Sequence, residues 1–444
     1  MKRMRAIVCG VLAVLVLAGC GSGAGVDLTQ YAVKEAAYPA YPAAPDYDSY
    51  CDRTGTLDWD AYSTALEKYQ REMQLLGKGD RPDDGAVRRF ADRTVGKIFT
   101  GGENTVYSPI SLYVALGMLT ELTDGETKQQ VMDLLGAADA GALRQQIKKL
   151  WVSVYQDGDA VCRLANAAFL RENADVKQSA ADTLAQWYYA SSYRVPMGTE
   201  EADRAIASWL NQQTGGLLSE ETGNIRTDAD NLLRLYNTIY YKAGWWEPFK
   251  SSRTKADTFT AADGSEQRAD FMHLTETGDV LRGEGYTAAP KSLKYGRMVF
   301  VLPDEGVTPE SLLARDGFLM ELTGEYSMAD VVWSVPRFDV KSSIDLKDIL
   351  KTLGVTDAFD GNMADFTPLT DNGAMVNSVM QAARVKIDEE GVEAAAYTEI
   401  VVNDSSAMIE PPPVVEMNLN RPFLFVIFDG NDVPLFVGTV QTVA

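Results

Sequence analysis

Few residues of this chain have the types and spacing that enzymatic chemistry needs. His273 is the single histidine among 444 residues, so a Ser-His-Asp or Cys-His triad would have to use it, and a metal site with several histidines is impossible. The sequence contains no G-x-S-x-G elbow, no G-x-x-x-x-G-K-[ST] loop and no G-x-G-x-x-G after a strand. We interpret the 63 acidic residues as a solvated surface. A glycosidase-like carboxylate pair stays open but has no positive support.

Residues 388–402, DEEGVEAAAYTEIVV, carry a different kind of pattern. Acidic residues and Gly391 open the segment as a turn would, and from Val392 onward it has the composition of a strand. Alternate side chains of a strand share a face, and here one face is small and uncharged while the other holds the charges and a tyrosine. The uncharged face consists of Val392, Ala394, Ala396, Thr398, Ile400 and Val402. Such a strand can be buried in a sheet because no charge on that face has to be desolvated.

The chain that follows, NDSSAMIEPPP, predicts an exposed loop. The whole stretch between Glu390 and Arg421 is far longer than an ordinary connection, which indicates a functional loop or a disordered one. The sequence therefore predicts a segment that is strand-like in pattern and loop-like in position.

The elements that must position this segment are mixed in type. ISLYVALGMLTEL and EADRAIASWLNQQTG have helical periodicity, whereas RMVFVLPDE, RVKID, FLFVIFDG and PLFVGTVQTV are β-rich apolar runs bounded by turn residues. Residues 84–444 show no internal repeat and no linker, so we expect them to form one large domain. The pattern predicts an α+β fold with a substantial buried sheet.

The N-terminus has the anatomy of an export signal. Three basic residues precede a short apolar run, which is too short for a spanning helix, and the run ends in LAGC. LAGC resembles the lipobox of bacterial lipoproteins, which predicts a signal over residues 1–19 and a lipid anchor on Cys20. On this interpretation the protein is exported and lies at the cell surface, touching the membrane only through its lipid. The alternative is a plain signal peptide cleaved near the same place, which would leave the protein extracellular.

Residues 20–83 are rich in Gly, Pro and Tyr, which predicts an extended tether or N-terminal extension. A helical stretch around LDWDAYSTALEKYQREMQLL could instead pack on the main domain, with Leu57, Ala61, Leu66, Tyr69 and Leu75 loosely following helical spacing.

Charge and cysteine content exclude several classes. The formal net charge of −22 disfavours a nucleic-acid partner or an anionic membrane surface, because phosphate binding relies on Lys and Arg. Of the four cysteines, Cys9 and Cys20 lie in the signal region, so a disulfide framework is excluded. The spacing leaves open whether Cys51 and Cys162 are bonded to each other or unpaired.

Several short segments resemble, in order, those of the serpin family. NTVYSPISLYVALGML at 104–119, DGETKQQV, LANAAF, NTIYYKAGWWEPF at 237–249, MVFVLPDE, the hinge DEEGVEAAA and NRPFLFVIFDGNDVPLFVGTV are similar to its signatures. The resemblance spans roughly residues 85–444. It implies three β-sheets surrounded by eight or nine helices, an exposed reactive loop near the C-terminus, and usually a monomer without metal or cofactor.

The resemblance also implies a function and a set of site residues. Serpins are suicide inhibitors: a protease cleaves the loop, which then inserts into the main sheet and traps the acyl-enzyme. The hinge of that loop corresponds to Glu389, Glu390, Gly391, Val392, Glu393, Ala394, Ala395 and Ala396. The shutter and breach of the sheet correspond to Ser108, Pro109, Ser111, Asn237, Trp245 and Gln381. Because the family usually has a histidine in the position of Gln381, bonded to the asparagine, we expect Gln381 to bond Asn237.

The position of the reactive bond has two solutions. The family's usual spacing of seventeen residues from Glu389 gives Ser405–Ser406, whereas counting back from NRPF gives Met408–Ile409. No Lys or Arg occurs between Lys386 and Arg421, which disfavours a trypsin-like target. Small and apolar residues in the loop favour serine proteases of elastase, subtilisin or chymotrypsin type, and papain-like cysteine proteases are an alternative.

Two other functions compete with inhibition. A non-inhibitory serpin would be cut without trapping anything, but such members commonly carry charged or bulky residues on the inserting face, and this chain does not. A substrate-binding lipoprotein of a transporter would also be exported and of this length. It would have two similar α/β lobes and gives no reason for the alanine-rich hinge.

Overall fold

The computed structural model describes residues 26–52, 55–77, 84–392 and 412–443. The predicted signal, the lipid anchor Cys20, the hinge residues Glu393–Ala396 and both candidate reactive bonds lie outside these ranges.

The described chain contains helices and strands in comparable number. The α-helices are α1 Trp59–Leu75, α2 Asp84–Ile98, α3 Pro109–Leu122, α4 Gly125–Leu135, α5 Ala140–Val154, α6 Gln178–Trp187, α7 Glu200–Gln213, α8 Ser219–Thr222, α9 Pro309–Leu313, α10 Phe318–Glu321 and α11 Lys347–Thr352. Short 3-10 turns span Leu28–Tyr31, Tyr47–Tyr50, Ser251–Arg253 and Asp357–Phe359. The strands are β1 Ala32–Lys34, β2 Thr105–Tyr107, β3 Gln156–Asp157, β4 Ala160–Arg171, β5 Ala190–Val195, β6 Leu233–Gly244, β7 Lys255–Thr260, β8 Glu266–Gly283, β9 Tyr286–Ser292, β10 Arg297–Pro303, β11 Ser327–Pro336, β12 Phe338–Asp345, β13 Met380–Ile387, β14 Gly391–Val392, β15 Val414–Asn418, β16 Phe423–Phe428 and β17 Pro434–Val440.

The main sheet has the strand order β1-β5-β4-β6-β14-β13-β12, with β3 attached to β4. Strands β4 and β5 are parallel, and the other neighbours are antiparallel. Among the described residues, the two-residue strand β14 is all that joins β6 to β13, although both neighbours are much longer. Over most of their length β6 and β13 are therefore not paired with each other.

The second sheet runs β15-β11-β8-β9-β10-β16-β17-β2, with β7 attached to β8. The 18-residue strand β8 pairs with β7 and β11 at one end and with β9 at the other. Strand β8 thereby joins into one sheet two regions that the expected three-sheet architecture treats as separate sheets. The predicted α+β fold, with a large sheet and surrounding helices, is confirmed.

Helix α3 lies between the two sheets, and this position explains why its sequence is apolar on every side. It packs against β6 of the main sheet and β17 of the second sheet, and all its residues except Ala115 are buried. Ser108 caps its first turn, and Pro109 occupies the first helical position, where a missing N–H costs nothing. The apolar runs FLFVIF and PLFVGTV form β16 and β17, whose residues are all buried, as their sequence predicts.

The start of the N-terminal extension differs from the extended spacer that its composition predicts. Strand β1 pairs with β5 at the edge of the main sheet, and the backbone N–H of Ala36 donates to Ser191 Oγ at 3.2 Å. The ring of Tyr41 stacks on Tyr155, with 3.6 Å between ring centroids. Backbone pairing and aromatic burial stabilise this segment against the domain, and neither depends on a strong local propensity.

Helix α1 follows the expected helical stretch with a somewhat different inward face. Tyr62, Leu66 and Tyr69 are partly buried and Met73 is buried, whereas Leu75 is exposed. Within the described ranges, no helix combines the length and apolar composition that crossing a membrane requires. No disulfide joins Cys51 to Cys162, and Cys162 is buried in β4.

Candidate functional site

The start of the predicted hinge lies inside the main sheet. Gly391 is opposite Gly244 and Val392 is opposite Ala243 on β6, while Val392 also faces Ile387 on β13. The side chain of Val392 is buried, as the alternating pattern predicts. The first two residues of the strand-like segment thus already occupy the space between β6 and β13.

The backbone at position 391 has room only for glycine. A Cβ atom on Gly391 would lie 2.3 Å from the carbonyl oxygen of Ala243 and 2.6 Å from Gly244 Cα. The turn before it is held by Asp388, whose Oδ1 accepts from the backbone N–H of Glu390 at 2.9 Å and of Gly391 at 3.3 Å. Asp388 and Gly391 therefore determine how the loop enters the sheet.

Glu389 is the anchor of the hinge. Its buried carboxylate accepts from Arg337 Nη2 at 2.6 Å and Nε at 3.0 Å, and Thr254 Oγ1 also donates to it. Asp270 Oδ2 lies 3.3 Å from Arg337 Nη1 on the exposed side of the same guanidinium. Burial acts to raise the pKa of Glu389, but the hydrogen bonds from Arg337 and Thr254 outweigh it and hold the pKa below its usual value. The carboxylate is therefore a charged clamp between Arg337, in the connection from β11 to β12, and the loop.

Trp245 lies beside this clamp. Its buried indole Nε1 donates to the carbonyl of Asp388 at 2.9 Å, and its backbone N–H donates to the carbonyl of Glu390 at 2.8 Å. The backbone N–H of Phe249 donates to the carbonyl of Glu389 at 3.0 Å. The segment that follows β6 thus binds the backbone of the hinge at three successive carbonyls.

A buried ion pair beneath Trp245 was missed by the sequence analysis. Lys291 Nζ lies 3.0 Å from Glu276 Oε1, and the same oxygen accepts from Trp333 Nε1 at 2.8 Å. The ammonium also lies 4.8 Å from the ring centroid of Phe249, in cation–π range. Burial lowers the pKa of Lys291, and the charge of Glu276 opposes that shift. The lysine that follows the run AAP in β9 was the available signal, but its partner on another strand was not visible in the sequence.

The predicted shutter residue Ser108, at the start of α3, binds to Gln381 of β13. Gln381 Oε1 accepts from the backbone N–H of Ser108 at 2.8 Å, and Gln381 Nε2 donates to the Ser108 carbonyl at 3.0 Å. Ser108 Oγ caps α3 by accepting from the backbone N–H of Ser111 at 3.4 Å. Ser108, Ser111 and Gln381 are all buried.

Asn237 binds to β4, away from β13, which corrects the expected bond to Gln381. Its Nδ2 donates to Asn166 Oδ1 on β4 at 2.5 Å, and Asn166 Nδ2 donates to the carbonyl of Tyr188 at 2.5 Å. Asn237 Oδ1 is buried and has no hydrogen-bond partner. Although both side chains are described, the expected bond between Gln381 and Asn237 is absent, because each is bound to its own side of the space between β6 and β13.

A cavity of about 140 Å³ lies between these two strands and above α3. Its walls are the start of β6, the segment that leads into β13, and one side of α3. The lining includes Leu116, Leu119, Leu235, Asn237, Phe366 and Met380. The main sheet thus contains the two-residue strand β14 between β6 and β13, and a cavity between other parts of these two strands.

Comparison with known proteins agrees with this architecture. The family model described as "Serpin (serine protease inhibitor)" matches residues 86–443. Serpin-Z1A of Triticum aestivum is 30% identical over 377 residues, covering 79% of this chain and 94% of that protein. The crystal structure of the thermophilic serpin tengpin in the native state superposes with a TM-score of 0.73 at 23% identity, covering 81% of this chain and 93% of that one. Human thyroxine-binding globulin complexed with thyroxine gives a TM-score of 0.71 at 22% identity, covering 81% and 99%.

The chain belongs to the serpin family. Members of this family act on target proteases and are generally inhibitors rather than enzymes, although some are non-inhibitory.

Proposed function

We propose that this protein is a suicide-substrate inhibitor of proteases, and that its cleaved loop inserts as a full strand between β6 and β13. The observation that carries the proposal is β14: the hinge is already paired with both flanking strands, with Val392 buried. Insertion then extends an existing strand and needs no new nucleation event.

The register of β14 supports this extension quantitatively. Continuing the pairing of Val392 with Ala243 brings Thr398 opposite Asn237, and continuing the pairing of Val392 with Ile387 brings Thr398 opposite Gln381. Thr398 would then lie between Asn237 and Gln381, which both line the cavity. Thr398 shares the inward face of Val392. Its hydroxyl would arrive beside the unpartnered Asn237 Oδ1 and could donate to it.

The mechanism follows from this geometry. The protease nucleophile attacks the carbonyl of the reactive bond, which gives an acyl-enzyme and frees the chain after the cut. The remaining loop inserts its small face toward α3, adding backbone hydrogen bonds to β6 and β13 and removing apolar side chains from water. The free energy of insertion carries the bound protease to the far end of the sheet before water hydrolyses the ester. The absence of charge on the inserting face keeps desolvation from opposing this step.

The target class follows from the loop sequence. Candidate bonds Ser405–Ser406 and Met408–Ile409 present small or apolar side chains, and no Lys or Arg occurs between Lys386 and Arg421. We therefore propose serine proteases of elastase, subtilisin or chymotrypsin type as targets, with papain-like cysteine proteases as a second class, and a monomeric inhibitor. From the lipobox we propose export and anchoring through Cys20.

A non-inhibitory role is the competing function, and a solved relative, thyroxine-binding globulin, is described in complex with a small molecule. The uncharged inserting face favours inhibition over this alternative.

Incubation with elastase and with subtilisin, followed by denaturing gels and intact-mass measurement, tests the proposal. We expect a covalent complex that survives boiling and a released peptide that starts at Ser406 or Ile409. Cleavage in the loop with a large rise in melting temperature but no complex with any protease would replace inhibition by the non-inhibitory role. Cleavage without stabilisation would contradict strand insertion itself.

A further inference from the structure

A single asparagine of the chain is followed by glycine. The pair is Asn372–Gly373, and it lies in the connection that leads from α11 to β13. In such a dipeptide the backbone nitrogen of the glycine can attack the side-chain amide of the asparagine, because no Cβ hinders the approach. The sequence therefore marks one position at which the backbone itself can react.

The structure leaves both reacting groups accessible. Asn372 and Gly373 are exposed and lie outside any helix or strand. Within the described ranges, no group is hydrogen-bonded to the side-chain amide of Asn372 or to the backbone N–H of Gly373. A Cβ on Gly373 would meet no atom within 4 Å, so the chain there has room to turn toward the asparagine. The nitrogen that attacks and the carbon that is attacked are thus both available.

The chain immediately before this pair is fixed by Lys177, the residue that precedes α6. Lys177 Nζ donates to the carbonyl of Thr367 at 2.7 Å and lies 2.6 Å from Asp371 Oδ1. The backbone N–H of Asn372 donates to Thr370 Oγ1 at 3.2 Å. The asparagine is therefore held in place, whereas the glycine after it is free to move.

We propose that Asn372 is a site of spontaneous deamidation. The nitrogen of Gly373 attacks Asn372 Cγ, the Cγ–Nδ2 bond breaks, and ammonia leaves with the proton of the Gly373 N–H. The product is a five-membered cyclic imide, which water then opens. Opening at the main-chain carbonyl carbon of residue 372 leaves isoaspartate, and opening at Cγ leaves aspartate. Water is the only co-reactant.

Both products change the wall of the cavity between β6 and β13. Each adds a carboxylate next to the ion pair of Asp371 with Lys177 and lowers the formal net charge of −22 by one unit. Isoaspartate also adds one atom to the main chain, in a segment whose next residues line the cavity. Aged protein thus carries a charge and a backbone geometry at this wall that the sequence does not encode.

Incubation of the purified protein at 37 °C, at pH 7 and at pH 8, tests the site. We expect anion exchange to resolve a more acidic form, in which fragment mass spectra locate a gain of about 1 Da at residue 372, because an amide NH₂ has become a hydroxyl. Isoaspartyl methyltransferase should transfer a methyl group from S-adenosylmethionine to the same peptide. The form should accumulate roughly three- to tenfold faster at pH 8, because the attacking nitrogen must lose its proton.

Gly373→Ala is the matched control. The φ angle of Gly373 is not positive and the added Cβ meets open space, so the fold should be preserved, which melting temperatures verify. The acidic form should then appear at least about fivefold more slowly, because a Cβ now hinders the attack. Asn377 is exposed in the same segment but precedes Ser378, and it should keep its amide.

An Asn372 that stays intact at pH 8, or that deamidates equally fast in Gly373→Ala, would overturn the proposal. Deamidation of Asn377 at the rate of Asn372 would also overturn it, because the effect would then belong to the whole segment. These readouts do not depend on whether the protein traps a protease.

Discussion

The side-chain amide of Gln381 brackets the backbone of Ser108, accepting from its N–H at 2.8 Å and donating to its carbonyl at 3.0 Å. This relationship ties β13 to the first turn of α3. Across the cavity, Asn237 ties β6 to β4 through Asn166. Strands β6 and β13, between which we propose that the cleaved loop inserts, are thus held by different neighbours, and no side-chain bond joins Asn237 to Gln381.

The bracket predicts a specific cost for Gln381→Leu. The carbonyl of Ser108 keeps a second partner, the backbone N–H of Leu112 at 3.3 Å, whereas the Ser108 N–H would be left buried without an acceptor. We expect the native state to lose about 1–3 kcal/mol in free energy of unfolding, measured in urea from the first transition. Met380→Leu, at the exposed neighbouring position, should change it by less than about 0.5 kcal/mol. Equal stability of the two variants would show that the bracket contributes nothing.

The clamp on Glu389 makes a prediction about premature insertion. Glu389→Gln keeps the shape of the side chain but removes the charge that binds Arg337, so the hinge should enter the sheet more readily. We expect faster conversion to an inserted or polymeric form on warming, measured on native gels. Asp270→Asn removes a carboxylate from the exposed side of the same guanidinium and should have little effect. A similar acceleration by both variants would assign the effect to Arg337 in general.

The same clamp should respond to acid in one direction only. The folded-state pKa of Glu389 lies below its usual value of 4.5, so its stabilisation is present above pH 4.5 and is lost as the pH falls through the lower folded value. Acid-induced conversion of the natural protein should therefore begin only below pH 4.5. In Glu389→Gln this acid step should be missing, and a persisting step would locate the titrating group elsewhere.

How far the sequence predicts this molecule can be judged from individual residues. The long apolar runs in α3, β16 and β17 predicted buried elements, and the structure buries almost every residue of all three. The inward direction of Val392 followed from alternation. The identity of the partner of Glu389 did not follow from the sequence, because Arg337 is distant along the chain and the contact exists only after the connection from β11 to β12 meets the hinge. Strand β1 has three residues, too few for any periodicity, so composition alone suggested a spacer.

Asp429 predicts a pH dependence of opposite sign. Its buried carboxylate accepts at 2.8 Å from the backbone N–H groups of both Asn431 and Val433, and burial raises its pKa to about 6. Since the folded value exceeds the usual 3.8, the associated stability is complete below pH 3.8 and is lost as the pH rises through about 6. Asp429→Asn keeps the acceptor without the charge. We expect this variant to be more stable above pH 6 by up to about 3 kcal/mol, and equally stable below pH 4.

Urea midpoints between pH 4 and pH 8 measure this difference, and a constant offset between the two proteins would contradict the buried charge. Asp432→Asn removes the second carboxylate of this turn. Asp432 Oδ1 lies 2.5 Å from Arg297 Nη1 in a partly exposed ion pair, and its charge also contributes to the raised pKa of Asp429, so its removal should give a smaller pH-dependent difference than Asp429→Asn.

Gly391 provides the sharpest separation between cleavage and trapping. In Gly391→Ala the new Cβ would overlap the Ala243 carbonyl oxygen at 2.3 Å, which displaces β14 from β6 and removes the paired start of the inserting strand. Overpacking of this kind costs about 1–3 kcal/mol, so the ratio of covalent complex to cleaved inhibitor should fall roughly 5- to 150-fold. The rate of loop cleavage should be unchanged, because the candidate bonds lie far along the loop. Gly430→Ala meets no atom within 4 Å and should trap protease normally. A Gly391→Ala variant that traps as efficiently as this control would mean that the β14 pairing forms only after cleavage.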